Sequence, residues 1–359
     1  KVANATIHFD ETSPHMHVIG VPVIENCKIG MKKHKMTKRL ILALGIIGLS
    51  VTGVRADSVN EKEITYADPT IYVENGKYYL TGTRNQEPQG FAILESTDLE
   101  HWTVPDGSSL QLILRKGDRT YGEKGFWAPQ YFKDKRTYYF TYTANEQTVI
   151  ASSKSVFGPF RQKEVKPIDA SAKNIDSFLF KDDDGKYYLY HVRFNKGNYL
   201  WVAEFDIKKG SIKPETLKQC MDCTEPWEKT PNYKSAPVME GPTVMKWDGV
   251  YYLFYSANHF MNIDYSVGYA TASSPFGPWK KHPNSPIIHR SLVGENGSGH
   301  GDVFKGLDGK YYYVYHVHRS DSTVSPRKTR IVPLILKKGN DGVYNITVDK
   351  EHVIKPMWK

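Results

Sequence analysis

From about residue 66 onward, apolar and polar positions alternate in short runs broken by Gly, Pro, Asp and Asn. That is the period of strands and tight turns, and amphipathic helical spacing is scarce. One unit recurs five times: Gly76-Lys-Tyr-Tyr-Leu80, Arg136-Thr-Tyr-Tyr-Phe140, Gly185-Lys-Tyr-Tyr-Leu189, Gly249-Val-Tyr-Tyr-Leu253 and Gly309-Lys-Tyr-Tyr-Tyr313. Its first Tyr falls at 78, 138, 187, 251 and 311, a spacing of 49 to 64 residues. In the third copy an apolar run from Asn174, a polar turn at 182–186 and Tyr187-Tyr-Leu-Tyr190 read as a β-hairpin. Adjacent strand residues point to opposite faces, so each Tyr pair can pack against both flanking units. Hairpin units repeated at this period predict an all-β fold, a five-bladed β-propeller spanning residues 57–359 with one blade per unit. Ser152-Ser-Lys-Ser-Val-Phe-Gly-Pro-Phe160 and Ser273-Ser-Pro-Phe-Gly-Pro-Trp279 read as outer turns of the blades.

The residues upstream of the Tyr pairs carry the chemistry. Eleven positions before Tyr138, Tyr187, Tyr251 and Tyr311 stand Trp127, Asp176, Glu240 and His300, and ten before Tyr78 stands Asp68. Equivalent positions in a repeat surround the axis, so these five side chains are expected at one end of the central channel. Unpaired acids are costly at the head of an inner strand, so three of them together point to a site rather than a scaffold. Two carboxyl groups across a pocket are the equipment of glycoside hydrolysis, and acids on non-adjacent blades leave room for a water between them, as inversion requires.

Composition changes the picture mainly at the N-terminus. The net charge of +9 misleads, because residues 1–56 hold 8 Lys/Arg against 3 Asp/Glu and the rest carries only +4, without a basic run. Nucleic acid is thus not an expected partner. His8-Phe-Asp-Glu-Thr-Ser-Pro-His-Met-His17 resembles the histidine motif of plasmid-mobilisation relaxases. At about thirty residues (1–30) this stretch is too short to bury a core, and it is read as extraneous. Residues 31–56 join a basic start, an apolar run from Leu40 to Val54 and a small-residue end, the pattern of a secretory signal peptide. A periplasmic or secreted protein, with no membrane attachment after cleavage, is expected. Cys220 and Cys223 lack the second pair of a zinc site and read as a loop pair able to oxidise after export.

Taken together, Ala67-Asp-Pro69, Trp127-Ala-Pro129, Ile175-Asp176, Glu240-Gly-Pro242 and Gly299-His-Gly301 resemble the motif series of glycoside hydrolase family 43, over about residues 66–336. The resemblance implies a five-bladed propeller that inverts the anomeric centre. It makes Asp68 the general base, Glu240 the general acid and Asp176 the residue that holds and tunes that acid. It places Trp127 against a sugar ring, Arg330 beside the substrate, and His300 next to a possible Ca2+ at the propeller axis, usually through water; no organic cofactor is implied. Ser177 departs from the proline often found after the middle acid. The implied substrate is a plant polysaccharide or oligosaccharide that loses α-L-arabinofuranosyl or β-D-xylosyl residues, the former favoured. The alternatives are the same fold acting on arabinan or galactan, and a non-catalytic glycan-binding propeller, which need not keep all three acids. Retaining fructosidases are disfavoured, since Ala-Asp-Pro and Ile-Asp-Ser stand where they carry Asn-Asp-Pro and Arg-Asp-Pro.

Overall fold

A computed structural model describes residues 62–359 apart from Ser108. The segments read as extraneous (1–30) and as a signal peptide (31–56) lie outside the described residues. The expected propeller is present, with five antiparallel sheets and almost no helix. The inner strands are Ala67–Glu74, Trp127–Asp134, Asn174–Lys181, Met239–Trp247 and Gly299–Lys305, in blades 1 to 5. Each returns through a hairpin into the strand that carries the Tyr pair: Lys77–Thr83, Thr137–Ala144, Tyr187–Phe194, Val250–Ala257 and Tyr311–Val317.

The core is a ring of five apolar clusters, one in each gap between blades. Phe91, Tyr131, Phe140 and Tyr142 fill the gap between blades 1 and 2, and Leu179, Leu189 and Phe205 the next. Tyr190, Val202, Leu253 and Tyr255 lie between blades 3 and 4, and Phe254, Tyr269, Tyr313 and Val332 between blades 4 and 5. Leu80, Trp102, Val314 and Ile331 close the last gap. The Tyr pairs straddle these gaps as the alternation predicts. Tyr78 packs with Phe304 of blade 5, while its neighbour Tyr79 faces blade 2.

Polar tips of the same tyrosines stitch the hairpins together. The Tyr138 hydroxyl donates to Glu74 Oε2 of the preceding blade at 2.6 Å, and Tyr251 donates to Asp182. A lysine paired with the tyrosine across its own hairpin binds the same acid: Lys133 meets Glu74, and Lys246 meets Asp182 at 2.7 Å. Exposed ion pairs contribute little individually, so this device sets the spacing of the blades more than their stability.

Blade 1 is completed from the other end of the chain. Met357–Trp358 pairs in parallel with His101–Trp102, and the Ile64 N–H donates to the Pro356 carbonyl at 2.9 Å. Cys220 and Cys223 are free thiols packed on the gap between blades 3 and 4, and burial raises both. Among the described residues no helix is long and apolar enough to cross a membrane.

Candidate active site

Every inner strand carries the same irregularity at its head. Pairing with the second strand slips between Ala67 and Thr70, Trp127 and Gln130, Ile175 and Phe178, Glu240 and Thr243, and Gly299 and Gly301. At each slip one residue adopts a left-handed backbone: Asp68 (φ 47°), Ala128 (46°), Asp176 (55°), Gly241 (59°) and His300 (45°). A non-glycine residue held there costs on the order of 1–3 kcal/mol. Ala128 has no polar side chain yet adopts the same conformation, so the strain belongs to the scaffold and not to one acid. Pro69, Pro129 and Pro242 follow three of these residues, and proline suits a bulge because it has no N–H to leave unpaired.

These five residues are the equivalent positions of the repeat, which corrects the reading from the Tyr pairs. Trp127 and Glu240 stand one residue ahead of them. Counting back from Tyr misplaces these two because the hairpin turns differ in length. Blades 1, 2 and 4 turn through two residues, whereas 182–186 and 306–310 are longer.

A side chain of the preceding blade captures the backbone N–H of four of the heads. Asp68 donates to His316 Nδ1 (3.1 Å), Ala128 to Thr83 Oγ1 (2.9 Å), Asp176 to Thr143 Oγ1 (3.0 Å) and His300 to Ser256 Oγ (2.8 Å). In blade 3 the corresponding residue, paired with Ile175, is Val192, which accepts nothing. The Gly241 N–H donates to the Asp176 carboxylate instead. One apolar residue in the collar thus ties Asp176 to the backbone beside Glu240.

Asp68, Asp176 and Glu240 are all buried. His300 Nδ1 lies 3.4 Å from Asp68 Oδ1 and 3.9 Å from Asp176 Oδ2, so one ring nitrogen neighbours both acids. Asp68 is held at both oxygens: Thr83 donates to Oδ2 at 2.7 Å, and Arg327 Nη1 to Oδ1 at 2.9 Å. Burial alone would raise Asp68, but Arg327, His300 and His316 together outweigh it and hold the carboxyl well below its ordinary value. Glu240 behaves oppositely. Burial, with the charge of Asp68 adding to it, pushes this carboxyl up to about 7, although Tyr265 donates to Oε1 at 2.7 Å and opposes the shift. Burial and the charges of Glu240 and Asp68 also raise Asp176. Glu240 and Asp176 therefore compete for protons while Asp68 stays ionised. His300 and His316 are both lowered by burial, His316 to about 3.

Around this centre, the guanidinium of Arg327 lies 4.7 Å from the centre of the Phe260 ring, which continues into stacked His259 and Tyr233. Trp127 is half-buried, with its six-membered ring against Gly125. Arg330 is corrected as a substrate contact. It is fully buried, and its guanidinium is used up by Glu295 (2.6 and 2.8 Å) and Glu63 (2.6 Å). The arginine at the site is Arg327, three residues earlier. Tyr265, His316 and Thr83 also complete the centre without standing in any of the sequence motifs.

The axial cavity behind the acids is lined by Gln130, Thr243, His300 and Asp302 among others. Asp302 accepts from Thr70 (2.7 Å) and Thr243 (3.2 Å), and burial raises it to about 6. Calcium takes six to eight oxygen ligands. Among the described residues no group of three or more His, Cys, Asp or Glu is placed to hold a metal ion. These side chains do not form a calcium cage.

The family model for glycosyl hydrolases family 43 matches residues 62–341, and the model for the plasmid recombination enzyme family matches residues 1–42, further than the motif around His8. The chain is 40% identical to a solved endo-1,4-beta-xylanase from Bacteroides thetaiotaomicron. That likeness covers 84% of this chain and 100% of the other, with a TM-score of 0.76. It is 28% identical over 272 residues to the beta-D-galactofuranosidase xynD of Aspergillus niger, covering 70% of this chain and 73% of the relative. It is 27% identical over 302 residues to an extracellular endo-alpha-(1->5)-L-arabinanase of Bacillus subtilis, covering 78% of this chain and 88% of that one.

Proposed function

The chain belongs to family 43 of the glycosyl hydrolases, and on that footing we propose that it is an inverting glycosidase releasing α-L-arabinofuranosyl or β-D-xylosyl residues from plant hemicellulose or pectin side chains. The observation that carries the reading is the divergence of the acids: Asp68 kept ionised and Glu240 raised to about 7 within one buried cluster. Two carboxyls pushed apart in this way take opposite roles. Asp68, fixed at both oxygens, is the base that takes a proton from water as it attacks the anomeric carbon. Glu240 delivers its proton to the departing glycosidic oxygen. Asp176, bound to the Gly241 N–H beside that acid, holds and tunes it, since the two raised carboxyls compete for protons. Trp127 offers an aromatic face to the sugar. Relatives named for xylan, arabinan and galactofuranosides support a pentose or furanose ring in the site.

Wild-type protein should hydrolyse aryl α-L-arabinofuranoside or aryl β-D-xyloside, and NMR of the first product should show the anomer opposite to the substrate's. First appearance of the same anomer would make Asp68 a nucleophile. A protein inert on both glycosides and on arabinan, xylan and galactan would be a glycan-binding propeller.

The two arginines give a separate expectation. Arg330→Ala leaves Glu63 and Glu295 with only Lys328 (3.7 and 3.3 Å) and should lower stability by up to about 3 kcal/mol, read as a fall in denaturation midpoint. Arg327→Ala should move the acid limb of the pH profile upward, which Arg330→Ala should not. Asp68 works ionised, so activity is lost as pH falls through its pKa, and removing its cationic neighbour raises that pKa.

Secretion or export to the periplasm is part of the same proposal, supported by the signal-like residues 31–56 and by the extracellular arabinanase relative. Calcium near His300 is a separate proposal. Without a protein cage it would be held through water, and no step above uses it.

A further inference from the structure

The blades do not close their outer gaps alike. After the third strands of blades 2 and 4, Gln147–Ser153 and Ser266–Ala272, the chain turns through Val156-Phe-Gly-Pro-Phe160 and Pro275-Phe-Gly-Pro-Trp279. Phe157 and Phe276 of these turns meet the second Tyr of the preceding blade edge-on, Tyr79 at 5.6 Å and Tyr188 at 5.5 Å. Blade 3 lacks the motif. Its third strand, Asn198–Asp206, ends in the short turn Ile207-Lys-Lys-Gly210. Among the described residues Tyr139 of blade 2 meets only the Phe132 ring of its own hairpin, at 6.2 Å, and blade 3 sends no ring to cover it. A groove of about 790 Å3 opens there between the outer strands of blades 2 and 3, with Ile150 of one against Gly210 of the other.

We propose that this groove binds a uronate-bearing stretch of an acidic plant polysaccharide and anchors the protein on the polymer at a distance from the catalytic centre. Tyr139 and Ile150 give it a half-buried aromatic and apolar floor. One wall carries Arg161, Lys163 and Lys166, the other Lys208 and Lys209, and Glu164 is the one acid on the lining. Much of this charge is matched: Arg161 pairs with Asp118 at 2.9 Å, Lys166 with Glu164 at 2.6 Å, and Lys209 lies 3.9 Å from Asp206. Lys163 and Lys208 form no ion pair among the described residues, which leaves one cation over on each wall. Both walls are set in advance. Gln162 accepts from the Tyr121 N–H and donates to the Lys166 carbonyl, each at 2.7 Å, and Asp206 Oδ1 accepts from the N–H groups of Lys208 (3.0 Å) and Lys209 (3.1 Å). A ligand therefore orders little beyond the lysine side chains. Two spare cations over an aromatic floor suit a chain whose carboxylates are spaced by sugar rings. Nucleic acid, with a phosphate on every residue and on the order of 6–10 contacts in a complex, asks for more. Tyr139 pairs with Phe132, five residues along the inner strand from Trp127, so the groove starts roughly 15 Å from the strand heads. A polymer held there leaves the centre open and raises the local concentration of its own branches.

The inference takes its choice of polymers from the plant-polysaccharide reading, but its test is a binding assay that reads separately from cleavage. Affinity electrophoresis of the full chain in gels holding polygalacturonate, glucuronoxylan or neutral arabinan, with mobilities referred to a polymer-free gel, compares wild type with Lys163→Glu/Lys208→Glu. The double variant should bind the acidic polymer at least about tenfold more weakly, bind arabinan as wild type does, and turn over aryl pentosides within about twofold of it. Binding to polygalacturonate alone identifies a pectin backbone as the source of the uronates, and binding to glucuronoxylan alone identifies xylan side groups; either supports the groove. Wild type held no better by either acidic polymer than by arabinan overturns it, as does a double variant held as tightly as wild type. Single-stranded DNA bound as tightly as the better polyuronate at equal charge concentration also overturns it, since the groove would then be a general polyanion patch. Lys163→Ala/Lys208→Ala should give a smaller loss of the same sign and covers the case in which reversed charges disturb the fold. A wild type that binds the acidic polymer yet cleaves no glycoside would sink the glycosidase reading and leave the groove standing.

Discussion

Asp68→Ala is expected to lower kcat on every substrate by about 10²–10⁴-fold, the span a positioned general base supplies. Water must be activated whatever the leaving group, so aryl glycosides and natural oligosaccharides should lose equally. Folding should survive, because the bulge at this position tolerates alanine, as Ala128 shows in blade 2. Steady-state assays on both substrate types, with a melting curve as control, check it. A variant that keeps more than about a tenth of wild-type kcat would remove Asp68 from the base role.

Glu240→Ala should divide the substrates that Asp68→Ala treats alike. Aryl glycosides with good leaving groups need little proton donation and should keep most of their kcat, whereas natural oligosaccharides should lose about 10³-fold. Equal loss on both would exclude Glu240 as the acid. The pH profile supplies the sign. An acid must be protonated to act, so wild-type activity should be present below pH about 7 and fall as pH rises through the Glu240 pKa. Asp176→Asn removes a carboxyl that competes with Glu240 for protons and should move that basic limb to lower pH. Tyr265→Phe removes a hydrogen bond that favours the ionised form and should move it to higher pH.

The propeller was legible because its signal is periodic. Five Tyr pairs behind polar turns specify strand, turn and packing face together, and the five inter-blade clusters follow from that alternation. The site was legible to within one residue. The offset of ten at Asp68 against eleven elsewhere already carried the varying turn length, but only the pairing register shows that Ala128 and Gly241 match Asp68. Arg330 stood at the site by the family resemblance alone, whereas Arg327 lies just ahead of Lys328–Lys338 and reaches the centre from its end. Thr83 and His316 stand five residues after the first Tyr of their pairs, a repeated position, whereas Tyr265 lies just ahead of the strand Ser266–Ala272 with no such spacing. Their roles depend on which blade lies next to which, and linear spacing does not encode that.

Ring closure has a consequence in time. The gap between blades 5 and 1 is sealed by partners at opposite ends of the propeller: Arg330 with Glu63, Thr329 with Tyr66, and Met357–Trp358 beside His101–Trp102. Arg327 reaches Asp68 across the same seam. A chain emerging from the ribosome can assemble blades 1 to 4 by local hairpins, but it has neither a closed ring nor the Arg327 contact to Asp68 until residues 327–358 arrive. Contacts spanning more than 250 residues form late and slowly. The growing polypeptide thus stays open, and it gains its hydrolytic centre only as the last blade docks.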